Sequence, residues 1–423
     1  MALRRLSRAV RRRAFPIFVV LTLLFPFVVE MLIHRTKWTV PLPDPKDVDG
    51  PFETGCREPD TSQPREKAAL VMLTRNKELE QAKHSVESIE RHFNRWYHYP
   101  IVFFNDEEWD QRFIDELNAT VSGEARFEVI PQDVWSFPPW IDVDKAKASI
   151  KDQGERGIAY GGLEGYHHMC RFYSGHFYTL PALKEFEWYW RLEPDVDFMC
   201  AITYDPFVEM RKRGKIYGYA QALWEVTESC PSLFMEMNDW KESHRIPTNN
   251  LWRAMMRPSW VPFPLRRLFA APNRDHDRFG DTWSRCHYWS NFEIAKMEFF
   301  RSKEYQDLFE YLDKKGGFYY ERWGDAPIHS LAVAMLVDPT KVHHFEDVGY
   351  RHDKFFQCPA NAPGRQLPDS KLLGSDSYFE EIEGGSGCRC ECDGRWTRNH
   401  QAYCLNKLKQ PVSTYRPSFA WLR

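Results

Sequence analysis

Three hydropathy patterns divide the chain. From Phe15 to Ile33 the residues are apolar almost without break, interrupted by Thr22, Glu30 and two prolines. At about 1.5 Å per helical residue, such a run nearly spans a hydrocarbon core of about 30 Å. From His34 to Glu66, prolines, glycines and charges replace any apolar period, as in a stem linker. Beyond it, apolar blocks alternate with charged helical stretches. The pattern predicts strands at 68–74, 99–106 and 127–130, with helices at 77–93 and 107–117 between them. Strand, helix, strand, helix, strand implies an α/β fold with a mixed, mostly parallel sheet flanked by helices. A further helix at 166–183 leads into an aromatic strand ending at Leu192, and another strand is expected at 217–223.

The charges beside the first apolar run set its orientation. Arg4, Arg5, Arg8, Arg11, Arg12 and Arg13 precede it and stay cytoplasmic by the positive-inside rule. No small-residue cleavage site follows Ile33, so the run reads as an uncut signal anchor with type II topology. The expected division is a cytoplasmic tail (1–14), a transmembrane anchor (15–33), a stem (34–66) and a luminal body (67–423). So short a span suits a thin secretory-pathway membrane. All ten cysteines lie on the luminal side, and an even number in an oxidising compartment argues for several disulfides whose pairing the sequence leaves open. Cys388-x-Cys390-x-Cys392 lacks the usual zinc spacing and fits disulfides better. Asn118-Ala119-Thr120 is a glycosylation sequon usable in the lumen. A net charge of -3 gives no footprint for nucleic acid.

The chemistry gathers where strands end. Pro194 cannot donate to a sheet ladder, so Glu193-Pro194-Asp195 should close the aromatic strand and present two carboxylates at its tip. In open α/β sheets ligands bind at the carboxyl edge, which Asn105-Asp106 would share. Paired acids there suit a hard divalent cation holding a diphosphate. A solvated acidic turn is the commoner origin of such a pair, but the preceding aromatics and the nearby His, Arg and Tyr favour the cation. Gly-x-Gly-x-x-Gly, Walker and Gly-x-Ser-x-Gly sequences are absent, which removes support for dinucleotide redox chemistry, ATP hydrolysis and serine hydrolysis. In Tyr166-His167-His168-Met169-Cys170-Arg171, Arg171 can clamp a diphosphate or form an ordinary ion pair. Glu293, among His287, Tyr288 and Trp289, is a candidate for proton or nucleophile chemistry, or else a helix-start acid paired with Lys296 or Arg301. The aromatics of 316–325 can stack on sugars or pack in the core, and His352 is a candidate imidazole ligand.

Taken together, these segments resemble the fungal Golgi α-1,2-mannosyltransferases of glycosyltransferase family 15. The resemblance rests on Tyr-Trp-Arg-Leu-Glu-Pro-Asp-Val (189–196), Cys-His-Tyr-Trp-Ser-Asn-Phe-Glu-Ile (286–294), the run from Gly316 to Ser330, and Phe-Glu-Asp-Val-Gly-Tyr-Arg-His (345–352). It implies a GT-A-like fold, single-pass type II Golgi topology with the catalytic domain luminal, GDP-mannose as donor, Mn2+ as cofactor and retention of anomeric configuration. By the same resemblance Glu193 and His352 are metal ligands, and Tyr166, Arg171 and Asp195 bind the donor. Glu293 is the nucleophile or charge stabiliser, and Asp325 contacts the acceptor or supports the reacting sugar. The implied acceptor is a mannose-terminated N- or O-linked glycan of secretory and cell-wall glycoproteins. A mannosylphosphate transferase on the same scaffold, or a catalytically silent mannan-binding luminal protein, are the alternatives. A charged stretch before Cys286 (Arg274 to Arg278) and Cys230 depart from the family pattern and bear on acceptor choice.

Overall fold

The expected strands form where β-branched and aromatic residues alternate between two faces, and they order a mixed sheet. The computed structural model describes residues 2–40, 49–263, 265–270, 275–367, 378–395 and 402–409. Its strands are β1 (Ala68–Leu73), β2 (Ile101–Asn105), β3 (Ala125–Val129), β4 (Trp188–Leu192), β5 (Val196–Phe198), β6 (Tyr217–Tyr219) and β7 (Ala222–Trp224). They continue as β8 (Met256–Arg257), β9 (Thr282–Trp283), β10 (Cys286–Tyr288), β11 (Glu293–Lys296), β12 (Val342–His344), β13 (Tyr350–His352) and β14 (Phe355–Gln357). Seven of them build the main sheet in the order β12-β6-β11-β4-β1-β2-β3. Only β11 runs against its neighbours β4 and β6; the other pairs are parallel.

Side-chain alternation splits the core into two layers. Ala69, Val71 and Tyr189 face one layer, with the helices Glu164–Gly175 and Asp325–Leu336. Leu70, Met72, Trp188 and Trp190 face the other, with the helix Leu79–Ile89. The single strand expected at 217–223 is two strands in different sheets: β6 lies in the main sheet, while β7 pairs with β10. The bend falls at Ala220-Gln221, where Gln221 turns inward and donates to the Tyr350 carbonyl at 3.1 Å.

Eight of the ten cysteines pair, as Cys56–Cys388, Cys200–Cys390, Cys286–Cys404 and Cys358–Cys392, while Cys170 and Cys230 are buried thiols. Each member of the Cys-x-Cys-x-Cys run therefore ties the tail to a different part of the body. Asn118 is exposed, in the last turn of the helix Gln111–Thr120. The N-terminal helix covers Ala2–Lys37, and its Ile17–Lys37 part has a mean hydropathy of 2.3 with none of its window buried. It is long and apolar enough to cross a membrane.

The stem expected at 34–66 is not a free linker where it is described. Trp38 is buried and donates to Asp281 at 3.1 Å. Asp49 pairs with Lys215 and His343, each at 2.8 Å, and Phe52 stacks on His343 with ring centroids 3.6 Å apart. Cys56 adds its disulfide to the tail. Apolar side chains at wide spacing give no period to read, yet they strap residues 49–56 across the body.

Candidate active site

β4 ends at Leu192, as the proline after Glu193 requires, and the chain reverses into β5 with Asp195 in the left-handed region (φ 61°). β5 pairs with β13, and His352 lies opposite Val196. The turn after β4 and the pairing of β5 with β13 thus bring Glu193, Asp195 and His352 to one corner of the carboxyl edge. Glu193 is partly exposed, and its Oε1 accepts from Arg191 Nε at 2.6 Å. Its Oε2 accepts no hydrogen bond from the described residues. Asp195 is exposed, and its side chain has no partner among them. The corner is tight enough that Tyr350, two residues before His352, feels Glu193: burial, then this charge, pushes its hydroxyl well above its ordinary value.

His352 stacks on Trp289 (5.3 Å between ring centroids), and its Nδ1 lies 2.5 Å from Asn291 Nδ2. The Oδ1 atom of Asn291 is buried without a partner. Exchanging the amide's two ends satisfies that oxygen against a ring N–H at Nδ1 and leaves the Nε2 lone pair free for a metal. Among the described residues no three His, Cys, Asp or Glu side chains cluster as a protein-only metal site. One carboxylate oxygen and one imidazole nitrogen suit a cation that takes its other ligands from a diphosphate and water. Thr74 Oγ1, just after β1, and Asn105 Nδ2, at the end of β2, are also buried and unpartnered. They leave polar capacity for a ligand along the same edge.

Behind this corner lies a buried charged network. Arg191 points from β4 into the helical layer, its guanidinium 3.5 Å from the Tyr173 ring centroid. It donates to Asp325 Oδ2 at 2.5 Å, and Ser290 Oγ donates to the same oxygen at 2.7 Å. Burial alone would raise the Asp325 carboxyl, but Arg191 beside it holds it below the usual carboxylate range. Asp325 opens its helix, where an anion also suits the N-terminal dipole.

Glu293 is fully buried on β11, opposite Arg191 of β4 and Tyr219 of β6. It begins a strand rather than a helix and pairs with neither Lys296 nor Arg301. The Tyr189 hydroxyl donates to its Oε1, the Tyr217 hydroxyl donates to its Oε2 at 2.6 Å, and His329 Nδ1 lies 2.9 Å from Oε2. His329 Nε2 faces the Tyr173 carbonyl at 3.0 Å, so both ring nitrogens address acceptors. Burial first, and the Glu293 charge second, push Tyr189 and Tyr217 well above their ordinary values, so both stay donors.

Tyr166 stacks on Tyr160 at 4.8 Å, with the Arg322 guanidinium 5.5 Å from its ring centroid. Arg322 in turn donates to Glu225 at 2.9 Å. Burial pushes the Tyr166 hydroxyl well above its ordinary value, and Asp325 is among the charges it feels. Arg171 is the correction. Its guanidinium forms a buried two-point ion pair with Asp313 (2.8 and 2.9 Å) and donates to the Val134 carbonyl at 3.1 Å. The ion-pair alternative therefore describes it, and its donors are spent on the fold rather than held out for a diphosphate. Neighbouring His167 and His168 are likewise structural, bonded to Gly161, Phe318 and Tyr319.

Comparison with known proteins decides the family. The glycosyltransferase family 15 model, described as glycolipid 2-alpha-mannosyltransferase, matches residues 41–366. The chain belongs to this mannosyltransferase family. A Schizosaccharomyces pombe relative, "O-glycoside alpha-1,2-mannosyltransferase homolog 4", is 36% identical over 403 residues, covering 89% of this chain and 86% of its own. "Alpha-1,2 mannosyltransferase KTR1" of Saccharomyces cerevisiae is 41% identical over 298 residues, 70% of this chain and 71% of its own. Among solved structures, the Mn/GDP form of core-mannan synthase A (CmsA/Ktr4) from Aspergillus fumigatus superposes with a TM-score of 0.65 at 34% identity, covering 77% of this chain and 85% of its own. The S. cerevisiae mannosyltransferase Ktr4p in complex with GDP gives a TM-score of 0.67 at 28% identity, covering 91% and 89%. The mannosyltransferase thus has the expected mixed-sheet fold, and the corner at Glu193 and His352 lies within the matched region.

Sequence reasoning missed Arg191, His329 and the two tyrosines on Glu293 as members of the site. A signal existed for Arg191, a lone cation inside an otherwise aromatic strand that must find partners in the core. For His329 the signal was its place one helical turn after Asp325.

Proposed function

We propose that this mannosyltransferase moves mannose from GDP-mannose to a mannose-terminated N- or O-linked glycan, with a Mn2+ requirement and retention of configuration. It would do so as a single-pass type II protein of the Golgi membrane. Residues 1–14 would be cytoplasmic, 15–33 would span the membrane, and the stem of 34–66, strapped to the body at 49–56, would lead into the luminal catalytic domain of 67–423. The observation that carries the reading is the corner where Glu193 and His352 converge at the carboxyl edge, backed by Asp325 and Glu293 through Arg191 and His329. The Mn/GDP form of a relative supports the choice of cation and nucleotide.

Glu193 and His352 would hold the cation, which supplies positive charge to the departing diphosphate. Asp195 and Tyr166 would contact the donor. Asp325, kept ionised by Arg191, is suited to accept a hydrogen bond from a sugar hydroxyl and poorly suited to take its proton. Positive charge develops at the anomeric carbon as the diphosphate leaves. Glu293 already accepts three hydrogen bonds and has no exposed surface. That environment favours its acting as a fixed negative charge over direct attack. Retention would then come from same-face displacement, with the departing phosphate taking the acceptor proton. The test is donor and acceptor profiling with labelled GDP-mannose and a panel of mannosides, with and without Mn2+, with linkage analysis of the product. Equal use of other sugar nucleotides, or an acid-labile phosphodiester product, would overturn the reading.

A further inference from the structure

Several residues in the segment before Cys286 contact the N-terminal helix. Arg266 Nη2 pairs with Glu30 Oε1 at 2.5 Å, and the Phe263 amide donates to Glu30 Oε2 at 3.0 Å. Arg35 donates to the Pro258 carbonyl at 3.2 Å and lies 3.4 Å from the Trp260 ring centroid. Asp281 accepts from Trp38 at 3.1 Å, lies 2.8 Å from His34 Nε2, and accepts from the Ser259 amide at 2.9 Å. The helix Leu265–Ala270 and the residues before it therefore run alongside the last two turns of the apolar helix.

That placement fixes a depth. Glu30 lies three residues before Ile33, about 5 Å inside the luminal end of the span. Whatever bonds Glu30 directly sits at the membrane interface, and the Arg266 pair explains how an acid is tolerated there. The same short segment leaves large apolar side chains uncovered: Leu268 and Phe269 are 70% and 71% exposed, and Trp260, Phe263 and Leu265 are exposed as well. A contiguous apolar cluster of this size on a protein surface marks an interaction site. Tryptophan at headgroup level and an exposed arginine, Arg267, are the usual company of an interfacial element.

We propose that Trp260, Phe263, Leu265, Leu268 and Phe269 enter the luminal leaflet beside the anchor and hold the catalytic body at a fixed height and orientation on the membrane. This rests on reading the N-terminal helix as the membrane anchor. β8 and β9 carry the constraint from this segment to β10 and thence to β11, which bears Glu293.

The test uses the full chain reconstituted in phosphatidylcholine vesicles containing a lipid with an acyl-chain diazirine. After irradiation, lipid adducts are mapped by mass spectrometry. Adducts are expected on residues 258–269 as well as on the anchor. In the double variant Leu268→Glu, Phe269→Glu the adducts on 258–269 should be lost. Those on the anchor should remain, with transfer to a soluble mannoside unchanged. Wild-type adducts confined to the anchor would overturn the proposal and spare the anchor reading; adducts on neither would overturn both. Cross-linking of 258–269 to a second copy of the chain in place of lipid would also overturn it. The wild-type map stands whether or not the variant folds.

Discussion

Replacing Glu293 by Gln keeps the shape of the side chain and removes its charge. The change carries two separate costs. The first is to stability, because the amide cannot accept from Tyr189, Tyr217 and His329 together. Leaving a buried hydrogen-bonding partner unsatisfied costs about 1–3 kcal/mol, more for a charged group. For a body of this size the melting temperature should fall by on the order of 5 °C. The second follows from the proposed role of Glu293 as a charge near the developing positive centre: its loss should lower kcat by about 10²-fold or more. GDP affinity should barely change, because the loss lies in the transition state. The assay is kcat per folded molecule, GDP affinity by calorimetry and melting temperature, all on one preparation. Adding His329→Asn makes a neutral amide pair and should recover melting temperature but not kcat. If the single variant melts early yet turns over normally, or the double variant regains activity, Glu293 serves only the fold and the reasoning fails.

Three further expectations concern the body around the site. A chain beginning at Asp49 should fold and be secreted, whereas one beginning at Gln63 loses the Cys56–Cys388 disulfide and the Phe52 stack. Loss of a native disulfide costs about 2–5 kcal/mol, and comparable melting of the two chains would show that the strap is dispensable. In Gly349→Ala the new Cβ would lie 2.5 Å from Cys200 Sγ, just before β13. Metal-dependent GDP binding should weaken although no ligand is touched, and an unchanged affinity would show that β13 does not position His352. Burial pushes the Asp347 carboxyl up to about 7 from an ordinary 3.8, so its contribution is full below pH 4 and is lost as pH rises through about 7. Asp347→Asn should therefore raise the melting temperature at pH 8 and leave it unchanged near pH 4; the same gain at both would refute the assignment.

What the sequence made legible follows from local rules. Strands β1 to β4 stand where apolar blocks meet turn residues, and β4 ends two residues before Pro194. Glu193, Asp195 and His352 were readable as candidates because acids and imidazoles sit at strand ends next to bulky aromatics. The partners that decide their roles were not. Arg191, bonded to Glu193, reaches Asp325 across 134 residues, and His329 reaches Glu293 across 36, contacts that only the sheet order creates. Arg171 had two readings of equal merit until Asp313, on the helix Lys303–Lys315, supplied its partner. The strap at 49–56 escaped because its few apolar residues carry no period, and the contacts of Pro258, Phe263 and Arg266 because their partners lie on the N-terminal helix, more than 220 residues away.

The claim on which the rest depends is that Glu193 and His352 together hold a cation against the nucleotide diphosphate. Calorimetric titration of GDP into the wild type, Glu193→Gln and His352→Ala, each with and without Mn2+, tests it directly. The account predicts that Mn2+ tightens GDP binding in the wild type and that each substitution shrinks this gain by at least about tenfold while both proteins remain folded. A Mn2+-dependent gain of wild-type size in both variants would contradict it.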